Sequence, residues 1–134
     1  MTGHEDLVRR ARQAGLNSYS PYSGFRVGAA LLAEDGTVYT GTNVENAAYP
    51  VSNCAEVTAV NTAVAEGVRR IDTVAVVCLD ADSIDDAYPC GGCRQVMNEF
   101  AVQTVLVAAG GGPHRVHSLS ELLPHGFSGE TLLS

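Results

Sequence analysis

Three thiols and one carboxylate stand out by type and spacing, in Cys54-Ala55-Glu56 and Pro89-Cys90-Gly91-Gly92-Cys93. The two-residue spacer of Cys90-x-x-Cys93 lets both sulfurs reach one ion at about 2.3 Å. Cys54 is the candidate for a third sulfur, and Glu56 lies near enough to work beside a metal without ligating it. Three protein ligands plus a water are the mark of a catalytic zinc, whereas a structural site closes with four. The chemistry these residues point to is metal-assisted hydrolysis.

Such ligands need elements to hold them. Both halves of the set fall where strand or loop gives way to helix, and there unpaired backbone N–H groups and the helix dipole stabilise thiolates. Cys54 opens a helix with Val57, Val60 and Val64 on one face, ended by Gly67. Cys90 begins a knuckle whose Gly91 and Gly92 free the backbone to aim N–H groups at sulfur. Cys93 starts a second helix with Val96 and Phe100 facing inward. Ahead of these, Thr2-Gly3-His4-Glu5 has the form of a capping box, and Leu7, Val8, Ala11 and Ala14 recur at helical spacing up to Gly15. Residues 17–24 read as a loop. Arg26 to Ala33 and Val38 to Asn43 make a hairpin about Asp35-Gly36, and Gly28 inside a strand marks a close approach to the backbone. Asn43 to Asn53 is polar and irregular. Thr73 to Leu79 and Thr104 to Ala109 are continuous apolar runs, as strands covered on both faces require. Arg115 to His117 forms a short last strand, and Ser118 and Glu121 cap a small terminal helix. Strands alternating with helices give an α/β class with buried parallel strands after an initial hairpin. Residues 1–134 read as a single domain, with no internal repeat or linker.

Composition narrows the partners. At 46% hydrophobic, 134 residues can bury an ordinary core without disulfides. A net charge of −7 with only eight basic residues argues against a polynucleotide, which takes Lys and Arg to displace counterions. Small substrates are favoured. No apolar run approaches the roughly 20 residues of a membrane span, and the polar, acidic start is unlike a signal peptide. Metal-ligand spacing in such a chain points to a reducing cytoplasm. The acidic stretch 80–88 lacks the offsets of a calcium loop and reads as solvated. His114 and His117 point to opposite faces of their strand and cannot share a metal. Cys78 reads as a buried small hydrophobe.

Cys54-x-Glu56…Pro89-Cys90-x-x-Cys93 resembles the three-cysteine form of the zinc deaminase pattern. With Phe25-Arg26-Val27-Gly28-Ala29-Ala30-Leu31, residues 43–50, Cys93-Arg94-Gln95-Val96-Met97 and Glu121-Leu122-Leu123-Pro124, the chain from Ser18 to Phe127 is similar to the short, homotetrameric cytidine deaminases. The resemblance implies a three-layer αβα sandwich around a five-stranded mixed sheet. It implies one Zn2+ per subunit on Cys54, Cys90 and Cys93, and Glu56 as the group that moves protons while water displaces the amino group at C4 of cytidine or deoxycytidine. It places Asn43 and Glu45 on the ribose hydroxyls, Phe25 on the pyrimidine, and the Ala55 N–H on the ring carbonyl. Tyr49 and Phe127 match aromatics that act at a neighbouring subunit's site. The role in metabolism would be pyrimidine salvage.

Two positions depart from the resembled pattern. Val57 stands where relatives with three zinc cysteines often carry an arginine, so Arg94 or the helix N–H groups must offset the excess thiolate charge. Tyr88 replaces a small hydroxyl residue before Pro89. Other readings remain open at this point. A deaminase of another aminated nucleoside, such as a blasticidin-type antibiotic, fits Asn43-x-Glu45 less well. A zinc-stabilised interaction module needs a fourth ligand. A thiol–disulfide oxidoreductase leaves Cys54 and Glu56 unexplained.

Overall fold

The computed structural model describes residues 2–133. Its centre is two apolar strands, β3 (Ile71–Cys78) and β4 (Thr104–Ala109), paired in parallel. The hairpin of β1 (Val27–Ala33) and β2 (Val38–Thr42) adds antiparallel on the β3 side, and β5 (His114–Ser118) adds antiparallel to β4. The five-stranded mixed sheet thus runs β2-β1-β3-β4-β5. Gly36, with φ +89°, makes the hairpin turn the Asp35-Gly36 pair predicts.

Alternate residues of a strand face opposite sides of a sheet, and both sides here are covered. Ala30, Ala75, Val77, Leu106 and Ala108 pack under α1 (His4–Gly15) through Leu7, Val8 and Ala11. Ala29, Leu31, Val74, Val76, Val105 and Val107 pack under α2 (Ala55–Ala65) and α3 (Gly91–Glu99). This is the expected αβα sandwich, and the unbroken apolar runs of β3 and β4 follow from being covered twice.

The helices sit close because two strand glycines let them. A Cβ at Gly28 would lie 1.8 Å from the Ala11 carbonyl oxygen, so the close approach expected there is the backbone of α1. A Cβ at Gly41 would lie 2.4 Å from the Ala59 nitrogen and 2.7 Å from the Ala55 oxygen. That contact admits only small side chains under α2. The buried stripe is therefore mostly alanine: Ala55, Glu56, Ala59, Val60 and Ala63; of the expected valine face Val60 lies fully inside, and Val57 and Val64 pack half-buried against the same core.

Two local expectations are corrected and a third is met in part. The N-cap of α1 is Gly3 without a side-chain bond, so no Thr2 capping box forms. In α3 the fully buried residues are Cys93 and Met97, one turn apart, while Val96 and Phe100 face inward as expected but pack only half-buried against the same core. The helix starts at Gly91, and Gly91 and Gly92 lie in its first turn without positive φ; the N–H that reaches sulfur is that of Cys93. At the far end, Ser118 Oγ accepts from the Glu121 N–H at 3.3 Å and caps α4 (Leu119–Leu122), as the sequence predicts. A last short helix, α5, spans Glu130–Leu133.

Candidate active site

Cys54 is the N-cap of α2 and Cys90 the N-cap of α3, with Cys93 in the first turn of α3. Two helix N-termini therefore converge, and their positive ends face the same three sulfurs. The Sγ atoms all lie within 4.8 Å of one another. A tetrahedral zinc with sulfurs at about 2.3 Å needs them about 3.8 Å apart, so the trio fits that ion with small adjustments. Among the described residues no histidine or carboxylate joins this group, and Cys78 stays outside it. The fourth position is left open to a neighbouring cleft, which does not suit a closed structural site.

Charge within the trio is shared. The Cys54 thiol is drawn down to about 6 because its sulfur accepts from the thiols of Cys93 and Cys90. Cys93 is raised, first by that same bond to Cys54 and then by burial. One proton leaves easily and the next is held back. Cys90 Sγ also accepts from the Cys93 N–H at 3.4 Å.

Glu56, in the first turn of α2, is 4% exposed. Burial pushes its carboxyl up to about 7, with the Cys54 charge adding to the rise; its own N–H and the Cys93 thiol pull the other way. A carboxyl poised near neutrality can both take and give a proton at physiological pH.

A cleft of about 300 Å³ opens beside these groups, lined by Cys54, Cys90 and Glu56 together with Phe25, Asn43, Glu45, Tyr49 and Ala55. These expected substrate contacts thus come together on one wall system, drawn from the loop before β1, the end of β2 and the start of α2. Ala55, first residue of α2, contributes one of the helix's unpaired N–H groups. Asn43 is held on three sides: its Oδ1 accepts from Ser18 Oγ and the Val27 N–H, and its Nδ2 donates to the Phe25 carbonyl at 2.8 Å. One amide hydrogen remains for a ligand. Glu45 accepts from the N–H groups of Tyr22 and Ser23, both at 3.1 Å, and from Ser23 Oγ, so its carboxyl pKa is lowered, chiefly by the Ser23 hydroxyl.

Two expected site residues lie apart from this cleft. Phe127 is 63% exposed, with its carbonyl tied to Gln95 and Asn98 of α3. Arg94 directs Nε to the Pro89 carbonyl at 2.8 Å and Nη1 to the Leu122 carbonyl at 2.7 Å, so its hydrogen bonds go to peptide oxygens. Half-buried Val57 packs on the apolar core and brings no charge near the trio.

Sequence reading missed other lining residues. Cys78, at the end of β3 and not in its middle, faces the cleft, with its thiol pushed up to about 12 by burial and by the Glu56 charge. Asp86 also lines it, as does Tyr88, the position already set apart in the sequence. The signal for Asp86 was faint, because a loop of carboxylates reads as solvated. In fact Asp80 forms a two-point ion pair with Arg26, and Asp85 pairs with Arg115.

A family model described as the cytidine and deoxycytidylate deaminase zinc-binding region matches residues 1–109. A cytidine deaminase of Sporosarcina psychrophila is 46% identical over 130 residues, covering 96% of this chain and 93% of that protein. One of Halalkalibacterium halodurans is 45% identical over 128 residues, covering 94% and 95%. The crystal structure of cytidine deaminase from Burkholderia pseudomallei superposes with a TM-score of 0.87 at 42% identity, over 94% of this chain and all of that one.

Proposed function

Because the chain belongs to the cytidine and deoxycytidylate deaminase zinc-binding family, we propose how its residues carry out hydrolytic deamination, in which water replaces the amino group at C4 of cytidine or deoxycytidine to give uridine or deoxyuridine and ammonia. The observation that carries the assignment is three sulfurs within 4.8 Å of one another beside a carboxyl that is buried and raised to about 7. Cys54, Cys90 and Cys93 would hold the zinc, which when bound lowers the pKa of a water at its open position toward neutrality. Glu56 would carry both protons of the attacking water in turn, the first to ring N3 and the second to the departing amino group. The water oxygen adds at C4, the C4–N bond breaks, and the two protons end on ring N3 and in ammonia, leaving the C4 carbonyl. Acid–base help of this kind is worth ~10²–10⁴ in rate. The Ala55 N–H orients the ring carbonyl, Phe25 packs on the pyrimidine, and Asn43 and Glu45 meet the sugar hydroxyls. Glu45 must then share its lone pairs between the ligand and the Tyr22–Ser23 loop. The convergent helix N-termini, with Arg94 fixing the Pro89 carbonyl, offset the thiolate charge in place of a cation at Val57.

The chain acts as one domain. Tyr49 and Phe127, 72% and 63% exposed, support assembly into a homotetramer in which these aromatics complete the site of a neighbouring copy. Pyrimidine salvage in the cytoplasm is the physiological reading; no helix among the described residues is long and apolar enough to cross a membrane.

The test is ammonia release and loss of ultraviolet absorbance with cytidine, deoxycytidine, free cytosine and blasticidin, alongside zinc content. Turnover of both nucleosides with one zinc per chain is expected. A zinc-loaded protein inert toward both nucleosides overturns the assignment.

A further inference from the structure

We propose that Tyr88, His117 and Glu121 form a hydrogen-bonded relay that holds the cleft wall beside Cys90 in its working position. The inference rests on the deaminase reading above. Tyr88 lines the cleft and precedes Cys90 by two residues, in a stretch with only a short helical turn, Ile84–Asp86, to stiffen it. Its hydroxyl lies 2.8 Å from His117 Nε2, and His117 Nδ1 lies 3.0 Å from Glu121 Oε2. An ionised carboxylate only accepts, so in the neutral imidazole Nδ1 carries the proton, and Nε2 is then the acceptor for the Tyr88 O–H. Arg115 Nη1 donates to the Tyr88 oxygen at 3.3 Å and to Asp85 Oδ1 at 2.8 Å. Every donor and acceptor is thus assigned one way, from the Arg115 cation through the phenol and imidazole to the Glu121 anion.

The anchor of this relay is well placed. Glu121 sits in α4, whose first turn is fixed by the Ser118 cap. The same helix ends at Leu122, whose carbonyl holds Arg94, and Arg94 holds the Pro89 carbonyl. Two successive residues before Cys90 are therefore strapped to one segment, β5 and α4: Tyr88 by its side chain and Pro89 by its main chain. His117 has only 17% of its side chain exposed and its ring meets Tyr88 edge-on, with centroids 5.2 Å apart. The polar atoms of the relay bond one another, so its members are positioning residues. Misplacing a catalytic wall by about 1 Å can cost ~10²-fold in rate, and between the Ile84–Asp86 turn and the start of α3 no helix or strand of its own fixes residues 87–90.

The experiment compares Tyr88→Phe, His117→Ala, His117→Gln, Glu121→Ala and the Tyr88→Phe/His117→Ala pair in the zinc-loaded enzyme. Tyr88→Phe keeps the ring packing and serves as the variant sure to leave the core intact. Tyr88→Phe, His117→Ala and Glu121→Ala are each expected to lower kcat on cytidine roughly tenfold, with zinc content kept and KM within about twofold. The double variant should be no worse than its worse single member, because both remove one link. His117→Gln, whose amide offers an acceptor and a donor, should restore most of the rate. Losses that multiply in the double variant, a lowered melting temperature with kcat unchanged, or no rescue by glutamine would each overturn the relay. A wild-type enzyme inert on cytidine would instead overturn the deaminase reading, so the two failures are distinct.

Discussion

Replacing Glu56 with glutamine keeps the shape of the side chain and removes its ability to move a proton. Its carboxyl is raised from 4.5 to about 7, mainly by burial. At about 1.4 kcal/mol per pH unit, that rise amounts to about 3 kcal/mol. The sign follows from linkage. A carboxyl whose folded pKa is raised binds its proton more tightly folded than unfolded, so the metal-free protein loses stability as pH climbs from 4.5 to about 7, and no more beyond it. Metal-free Glu56→Gln should therefore match the wild type near pH 4 and exceed it at pH 8 by about 3 kcal/mol, or about 10 °C in melting temperature. The same substitution should keep zinc binding yet cut turnover ~10²–10⁴-fold. Calorimetry of chelated protein at the two pH values, with cytidine turnover of the zinc-loaded form, measures both effects. Equal melting temperatures at pH 8 together with retained turnover would show that Glu56 is an ordinary first-turn glutamate.

Three further outcomes are expected. Cys54→Ser should lose stoichiometric zinc and turnover together, because an alcohol is a far poorer ligand than the thiolate; metal analysis showing full occupancy would remove Cys54 from the ligand set. Gly28→Ala puts a methyl group 1.8 Å from the Ala11 oxygen, so α1 must lift and stability should fall by about 3 kcal/mol or more in urea titration; a change under about 1 kcal/mol would mean α1 shifts freely on the sheet. Asp80 is held at about 2 by the Arg26 hydrogen bond, a depressed carboxyl whose stabilisation is present above about pH 4 and lost as pH falls through 2. The stability gap between wild type and Asp80→Asn should close over that window and narrow in high salt, and a gap constant with pH would refute the pairing.

Much of this molecule is written in short-range pattern. The strands covered on both faces announce themselves as unbroken apolar runs, because no alternation survives when neither side meets water. The hairpin shows in Asp35-Gly36, and the zinc trio in a spacer that geometry allows and a carboxylate that chemistry needs. Local pattern misled where packing distance decided. Under α2 the buried stripe is mostly alanine, with Val60 its one valine, because Gly41 brings the helix backbone within reach of the strand. In α3 the core falls to Met97, since the turn that buries Cys93 buries the residue four places on.

What the sequence by itself determined was the kind of chemistry: thiolates for a metal, one carboxyl for protons, and helix starts to carry them. What only the tertiary structure decided was which distant groups meet. Asn43 spends most of its amide on Ser18, Val27 and Phe25, Arg94 spends its guanidinium on two carbonyls, and His117 reaches Tyr88 across the loop. Spacing along a chain fixes neighbours within a turn or a strand, but contacts between strands, loops and helix ends depend on register and approach distance, which exist only once the sheet has formed.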